Sequence, residues 1–223
     1  MARRILKRAA IAVVALAAVS WLFLKTIRET NAEPYQVDRA ELSGWTLALE
    51  DPDAGGPALL VLRPPVGLTG DVFQQIFHRT GVSLAGPAGI GMPIVLASEY
   101  AEALKAVVTP GELMNLARAA GLEKEAAVPV CMGVTKDPQS GRLIQRFFLV
   151  FESSAFTRLR LELARLHEAQ GAAGDFRPSA LLPILPVASF ESDFHRWWPF
   201  QVDTARDCQT TIAFRNPSLS SAP

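Results

Sequence analysis

The chain is short of the residues that carry most protein chemistry. Its 223 residues include three histidines, His78, His167 and His195, and two cysteines, Cys131 and Cys208. The histidines lie far apart in sequence, and no spacing assembles an imidazole pair or a His/Cys ligand set. Neither a metal nor any other cofactor is therefore expected. The glycine-rich stretch GVSLAGPAGIGMPIVLASEY has neither the GxxxxGK[ST] order nor a lysine to reach a phosphate. Its opening GVSLA misses the GxSxG nucleophile elbow, because Ala85 stands where the second glycine is needed. Net charge is missing as well, since 22 Lys and Arg balance 22 Asp and Glu. Residues 1–32 take six of the basic residues and one of the acidic ones, which leaves 16 basic and 21 acidic residues in the body. That mildly acidic body offers no attraction to a phosphate backbone, and no nucleic-acid partner is expected.

Charge is absent again over Ala9–Leu24, AAIAVVALAAVSWLFL. Sixteen helical residues rise roughly 24 Å against a bilayer core of about 30 Å, and flanking Lys7, Arg8 and Lys25 extend the reach. Arg3, Arg4, Lys7 and Arg8 precede the run, so the positive-inside rule places the N-terminus in the cytoplasm and the body outside. The expectation is a single-pass signal-anchor helix in the cytoplasmic membrane, with the lipid bilayer as its partner through Ala9–Leu24. A cleaved signal peptide is the alternative, and Thr30-Asn31-Ala32 is a poor cleavage site for one. In the oxidising compartment outside, Cys131 and Cys208 are expected to pair as a disulfide; two separately buried thiols are the alternative.

Pattern and punctuation set out the body. Trp45–Leu49 and Ala58–Leu62 flank the turn residues Asp51-Pro52-Asp53-Ala54-Gly55-Gly56 and read as a hairpin. Val72, Phe73, Ile76 and Phe77 form one face of a helix capped by Thr69 or Asp71 and stopped at Gly81. Ser98–Val107 reads as a helix. Thr109-Pro110-Gly111-Glu112 is a capping box with proline at the first helical position. Val128–Thr135 and Arg142–Glu152 form a second hairpin, with Cys131 on its first strand. Ser153 or Ser154 caps a helix with Phe156, Leu159, Leu163 and Leu166 on its core side, while Arg158, Arg160, Glu162 and Arg165 point elsewhere. His167 near its C-terminus suits the helix dipole. Leu181–Phe190, broken by Pro183 and Pro186, reads as an edge strand or an irregular extended segment.

The pieces add up to an α+β chain. An N-terminal transmembrane helix is followed by one domain with a mixed or antiparallel sheet and three to four helices. The boundaries are a basic tip and anchor at 1–32, a tether at 33–44, the exported domain at 45–216 and a frayed tail at 217–223. The candidate binding surface is the aromatic stretch Phe194, His195, Trp197 and Trp198, whose large apolar area can fill a core or line a partner surface. No catalytic residue is nominated. The functional expectation is a non-catalytic envelope protein on the periplasmic side, with an interaction or assembly role and an envelope protein as its partner.

From Ala58 onward the order of LLVLRPP, a helix, GVSLAGP, RLIQRFFLVFES with its following helix, and FRPSALLPILPVAS resembles the two-histidine phosphoesterases. That family contains bacterial RNA-ligase-like and cyclic phosphodiesterase enzymes. The resemblance implies a sheet on which two His-x-Thr pairs, at the GVSL and PILPV positions, grip a cyclic phosphate. Here Gly81 and Ser83 fill the first pair and Ile184 and Pro186 the second. His78 and Thr80 form a His-Arg-Thr just upstream without a second copy. Lacking both imidazoles, the chain has no proton carriers for that mechanism. What the resemblance implies is a hydrolase or ligand-binding protein derived from this fold.

Overall fold

The computed structural model describes residues 16–22, 25, 33–51, 58–86, 91–125, 127–137, 144–190 and 202–215. The chain divides into two units, Met1–Pro34 and Tyr35–Pro223. Residues 16–22 of the first unit are helical, with Leu16, Val19, Trp21 and Leu22 exposed. No helix among the described residues is long and apolar enough to cross a membrane. The expected transmembrane helix, and with it single-pass placement in the cytoplasmic membrane, is therefore not supported. The remainder of Ala9–Leu24 lies outside the described residues.

Among the described residues the second unit is mixed α+β, with two sheets where one was expected and five α-helices where three to four were expected. Its elements are β1 (Tyr35–Asp38), β2 (Thr46–Leu49), β3 (Ala58–Arg63), α1 (Val66–Thr80), β4 (Met92–Leu96), α2 (Ala97–Glu99, continued by a π turn, Tyr100–Leu104), α3 (Pro110–Ala119), β5 (Val128–Asp137), β6 (Ile144–Glu152), α4 (Ser154–Ala169), β7 (Ile184–Ser189), α5 (Thr204–Asp207) and β8 (Cys208–Arg215). One sheet runs β1-β8-β5-β6-β7 and the other β2-β3-β4. Among the described residues only the β1–β8 pairing is parallel. Residues 35–42, read from sequence as tether, thus belong to the fold: β1 pairs with β8, and Asp38 caps the 3-10 turn Arg39–Leu42.

Local signals explain most boundaries. In α3 the Glu112 N–H donates to the Thr109 hydroxyl while the Glu112 carboxylate accepts from the Thr109 N–H at 2.8 Å. Ser153 caps α4 through the Phe156 N–H. Gly81 ends α1 with φ of 65°, a left-handed conformation that costs glycine nothing. The start of α1 differs from expectation. It begins at Val66, with Pro65 as its N-cap and no side-chain cap, so Thr69 and Asp71 fall inside the helix. Proline fixes φ near helical values and has no N–H to leave unsatisfied.

The continuous apolar runs of β3 and β4 are buried on both faces, as their composition requires. The main core joins them to the inner face of the five-stranded sheet (Met132, Phe147, Leu149, Leu185) and to the apolar faces of α1, α3 and α4. Trp45 is buried there, donating its indole N–H to the Leu42 carbonyl at 3.1 Å and meeting the Phe151 ring edge-on at 5.4 Å.

The outer face of the larger sheet is arranged in three ranks across β5, β6 and β7, fixed by register. Cys131, Val150 and Ile184 form the first. Gly133, Phe148 and Pro186 form the second, in which the Phe148 ring occupies the place a β-carbon at 133 would need. Thr135, Arg146 and Ser189 form the third. The Cys131–Cys208 disulfide ties the first rank to the start of β8, and Leu182 and Val202 pack on the same cluster.

Candidate functional site

The four aromatic-stretch residues proposed from sequence, Phe194, His195, Trp197 and Trp198, lie outside the described residues. Among the described residues the other two histidines stay apart. His78 sits at the end of α1, in edge contact with Phe77 at 5.9 Å. His167 is buried near the end of α4, and its Nε2–H donates to the Ala173 carbonyl at 3.3 Å. Groups of three or more metal-ligating side chains are absent among the described residues. Gly81 caps α1, Ser83 follows in a non-strand loop, and Ile184 and Pro186 are buried on β7.

The polar atoms of the outer-face rank are largely shielded from solvent, with Thr135 itself half-buried. Arg146 is 8% exposed, Ser189 is fully buried, and the buried Thr135 hydroxyl has no hydrogen-bond partner. An unsatisfied hydroxyl of this kind costs roughly 1–3 kcal/mol. This rank is an internal polar layer and not a place of access.

Access exists instead beside α4. Helical spacing brings Phe156, Thr157, Arg160 and Leu161 to one side of that helix, facing the segment Pro178, Ser179, Leu181, Leu182 and Pro183. Between them is a cavity of about 260 Å³. Phe156 and Leu181 are buried at its base, and Leu161, 55% exposed, forms its lip. The facing wall is irregular because Pro178 and Pro183 have no N–H for a ladder. It is pinned at both ends: the Phe151 N–H donates to the Pro183 carbonyl at 2.9 Å, and Arg160 holds the carbonyls of Arg177 and Pro178 at 2.9 and 3.2 Å.

Arg160 is the organising residue. Its guanidinium makes a two-pronged ion pair with Glu99 at 2.7 and 2.9 Å, and Nη1 also donates to the Ile94 carbonyl at 3.4 Å. Together with the Arg177 and Pro178 carbonyls, these acceptors take up its five N–H donors. The Phe176 ring covers the guanidinium carbon at 4.5 Å. Glu99 is itself held by the Leu96 N–H at 3.1 Å, so the pair locks α4 to the end of β4 and to the cavity wall. Burying such a pair costs desolvation of both ions, which these neighbouring hydrogen bonds offset.

Reading the sequence placed Arg160 away from the core with Arg158, Glu162 and Arg165. Among the described residues it is the largest of the fully buried side chains. The missed signal was spacing: Phe156, Arg160, Leu163 and His167 recur at three- and four-residue steps and share a buried stripe.

The Thr157 hydroxyl donates to the Ser153 carbonyl at 3.2 Å. Among the described residues no imidazole or carboxylate lines the cavity to activate either the Thr157 or the Ser179 hydroxyl as a nucleophile. No family model, curated protein or solved structure matches the chain.

Proposed function

We propose that this chain is a non-catalytic binding protein with an interaction or assembly role, and that its working site is the apolar cavity between α4 and residues 178–183. The observation that carries this reading is the state of Arg160. Among the described residues it is the one charged group on the cavity wall, and its five donors are spent inside the protein. Apart from the Ser179 hydroxyl, such a wall offers burial of apolar surface, at about 25 cal/mol per Å² removed from water. The pinned wall favours binding further, because a preformed cavity avoids the ordering cost that a loose loop would incur.

The test is a methyl NMR titration with 1-hexanol as probe. The expected result is saturable shifts confined to the methyls of Leu161, Leu181 and Leu182. Absence of any response from these three methyls up to the solubility of the probe would overturn the reading.

A further inference from the structure

We infer that the Cys131–Cys208 disulfide is a redox-sensitive latch: a dithiol reductant that opens it releases β8 from the larger sheet while strands β2 to β7 stay folded. The inference stands apart from the cavity beside α4. Its basis is how little else holds β8. Against β5 the strand pairs through Cys208, Thr210 and Thr211 with Gly133, Met132 and Cys131, and the register shifts at Gln209. On its other edge β5 follows β6 from Val128 to Asp137. The other neighbour of β8 in the sheet is β1, four residues long and parallel, the slightly weaker kind of ladder. None of the eight residues of β8 is fully buried, and Ile212 and Phe214 meet the core only in part. Little apolar area therefore returns to water when the strand leaves. Arg215 and Asp71 pair at 3.7 Å with both side chains more than half exposed, where an ion pair contributes little.

The neighbours of β8 have anchors of their own. Tyr35 and Val37 of β1 are buried, and the Gln75 carboxamide holds the Gln36 peptide group. In α5 the buried Asp207 takes its hydrogen bonds from Arg206 and Asp203, next to it in the chain, and not from β5. A strand held so lightly opens locally, below the free energy of global unfolding. The two sulfurs differ in access, because Cys131 is 7% exposed whereas Cys208 is half-buried. A thiolate of the reductant thus attacks Cys208 Sγ. The S–S bond breaks, and its electron pair leaves on Cys131 Sγ, which takes a proton. The second thiolate of the reductant then attacks the reductant's own sulfur in the mixed disulfide, and Cys208 leaves as a thiolate and is protonated. The protein gains two thiols, and the dithiol is oxidised to its disulfide. With β8 gone, β5 presents an edge of unpaired backbone groups.

The experiment is hydrogen–deuterium exchange of the full chain, read by mass spectrometry before and after treatment with dithiothreitol, with thiols counted by alkylation in parallel. Reduction is expected to speed exchange in β8 by about tenfold or more, as for a strand that opens locally, and to leave β3 and β6 unchanged. Cys131→Ala combined with Cys208→Ala is expected to show the fast exchange without reductant and no response to it. Two alkylated thiols with exchange in β8 unaltered would overturn the latch, since the ladders alone would then hold the strand. Faster exchange in all strands together would overturn it as well, by showing that the crosslink guards the whole fold and not one strand. Thiols that appear only after the chain is denatured would show that a dithiol does not reach Cys208, and the proposal would fall on that result too.

Discussion

At the scale of single residues, the account rests on Arg160 and Glu99, whose side chains are 1% and 17% exposed. Removing one partner of such a pair leaves the other charge buried alone, which typically costs about 3–5 kcal/mol. Arg160→Met should lower the unfolding free energy by that order, read by urea denaturation. Arg160→Met combined with Glu99→Gln should recover a part, because the lone charge is gone while the Ile94, Arg177 and Pro178 carbonyls still lack their donor. A loss below about 1 kcal/mol for the single variant would show that the pair does not organise this wall. Asp207 gives a second residue-scale test. It is 4% exposed, and hydrogen bonds from the Arg206 side chain, with a smaller one from the Asp203 N–H, hold its carboxyl below the ordinary range. A group with a depressed folded pKa stabilises above its unfolded value, about 3.9 for aspartate, and that stability is lost as pH falls from there toward the folded value. Stability followed by denaturant titration should therefore drop through this acidic window, and Asp207→Asn should flatten the drop. An unchanged slope in the variant would refute the assignment.

At the scale of elements, the sheet edges are closed by side chains and loop backbone, a feature that pattern reading does not reach. The outer edge of β1 meets the carboxamide of Gln75 on α1, which accepts from the Gln36 N–H at 2.8 Å and donates to the Gln36 carbonyl at 2.7 Å. It takes the place of a neighbouring strand's peptide group. Glu123 accepts from the Leu47 N–H on β2 at 3.0 Å, and Ala85 pairs with Ser189 on β7 through two backbone bonds of 2.7 and 3.0 Å. Open edges invite pairing with other chains. Gln75→Ala should cost about 1–2 kcal/mol and increase self-association relative to the unaltered chain in sedimentation velocity. Unchanged stability together with unchanged sedimentation across concentration would contradict the role. The hairpins, the α3 capping box and the α4 cap were legible because each depends on neighbours within a few residues. The extent of β1, the division into two sheets and the Gln75 contact were not, since each joins residues tens of positions apart and leaves no periodic trace. The cavity was half legible: Leu181–Phe190 read as an edge strand or irregular extended segment, and its residues 181–183 form part of the wall while Ile184–Ser189 is the edge strand β7. The helical spacing that turns Arg160 inward with Phe156, Leu163 and His167 was missed because arginine reads as a surface residue.

At the scale of the whole molecule, the Cys131–Cys208 bond links strands that are 77 residues apart in sequence and adjacent in the sheet. The Cys131–Cys208 pairing is present, while the membrane-spanning helix from which an oxidising compartment was inferred finds no support among the described residues. Chain-entropy arguments assign a loop of 77 residues a stabilisation of about 4 kcal/mol. Replacing both cysteines by alanine should lower the denaturation midpoint accordingly, and addition of reductant should then have no further effect. A midpoint unchanged by the double substitution would remove the disulfide from the account. The larger claim is that a rigid α+β frame, locked at Arg160 and fastened at Cys131, holds open a dry apolar cavity that binds without reacting. Crystallography under xenon pressure tests it most directly. The account predicts ordered xenon between Phe156, Leu161, Leu181 and Leu182 with the Arg160–Glu99 pair unmoved; a cavity filled by hydrogen-bonded water, or collapsed with no xenon, would contradict it.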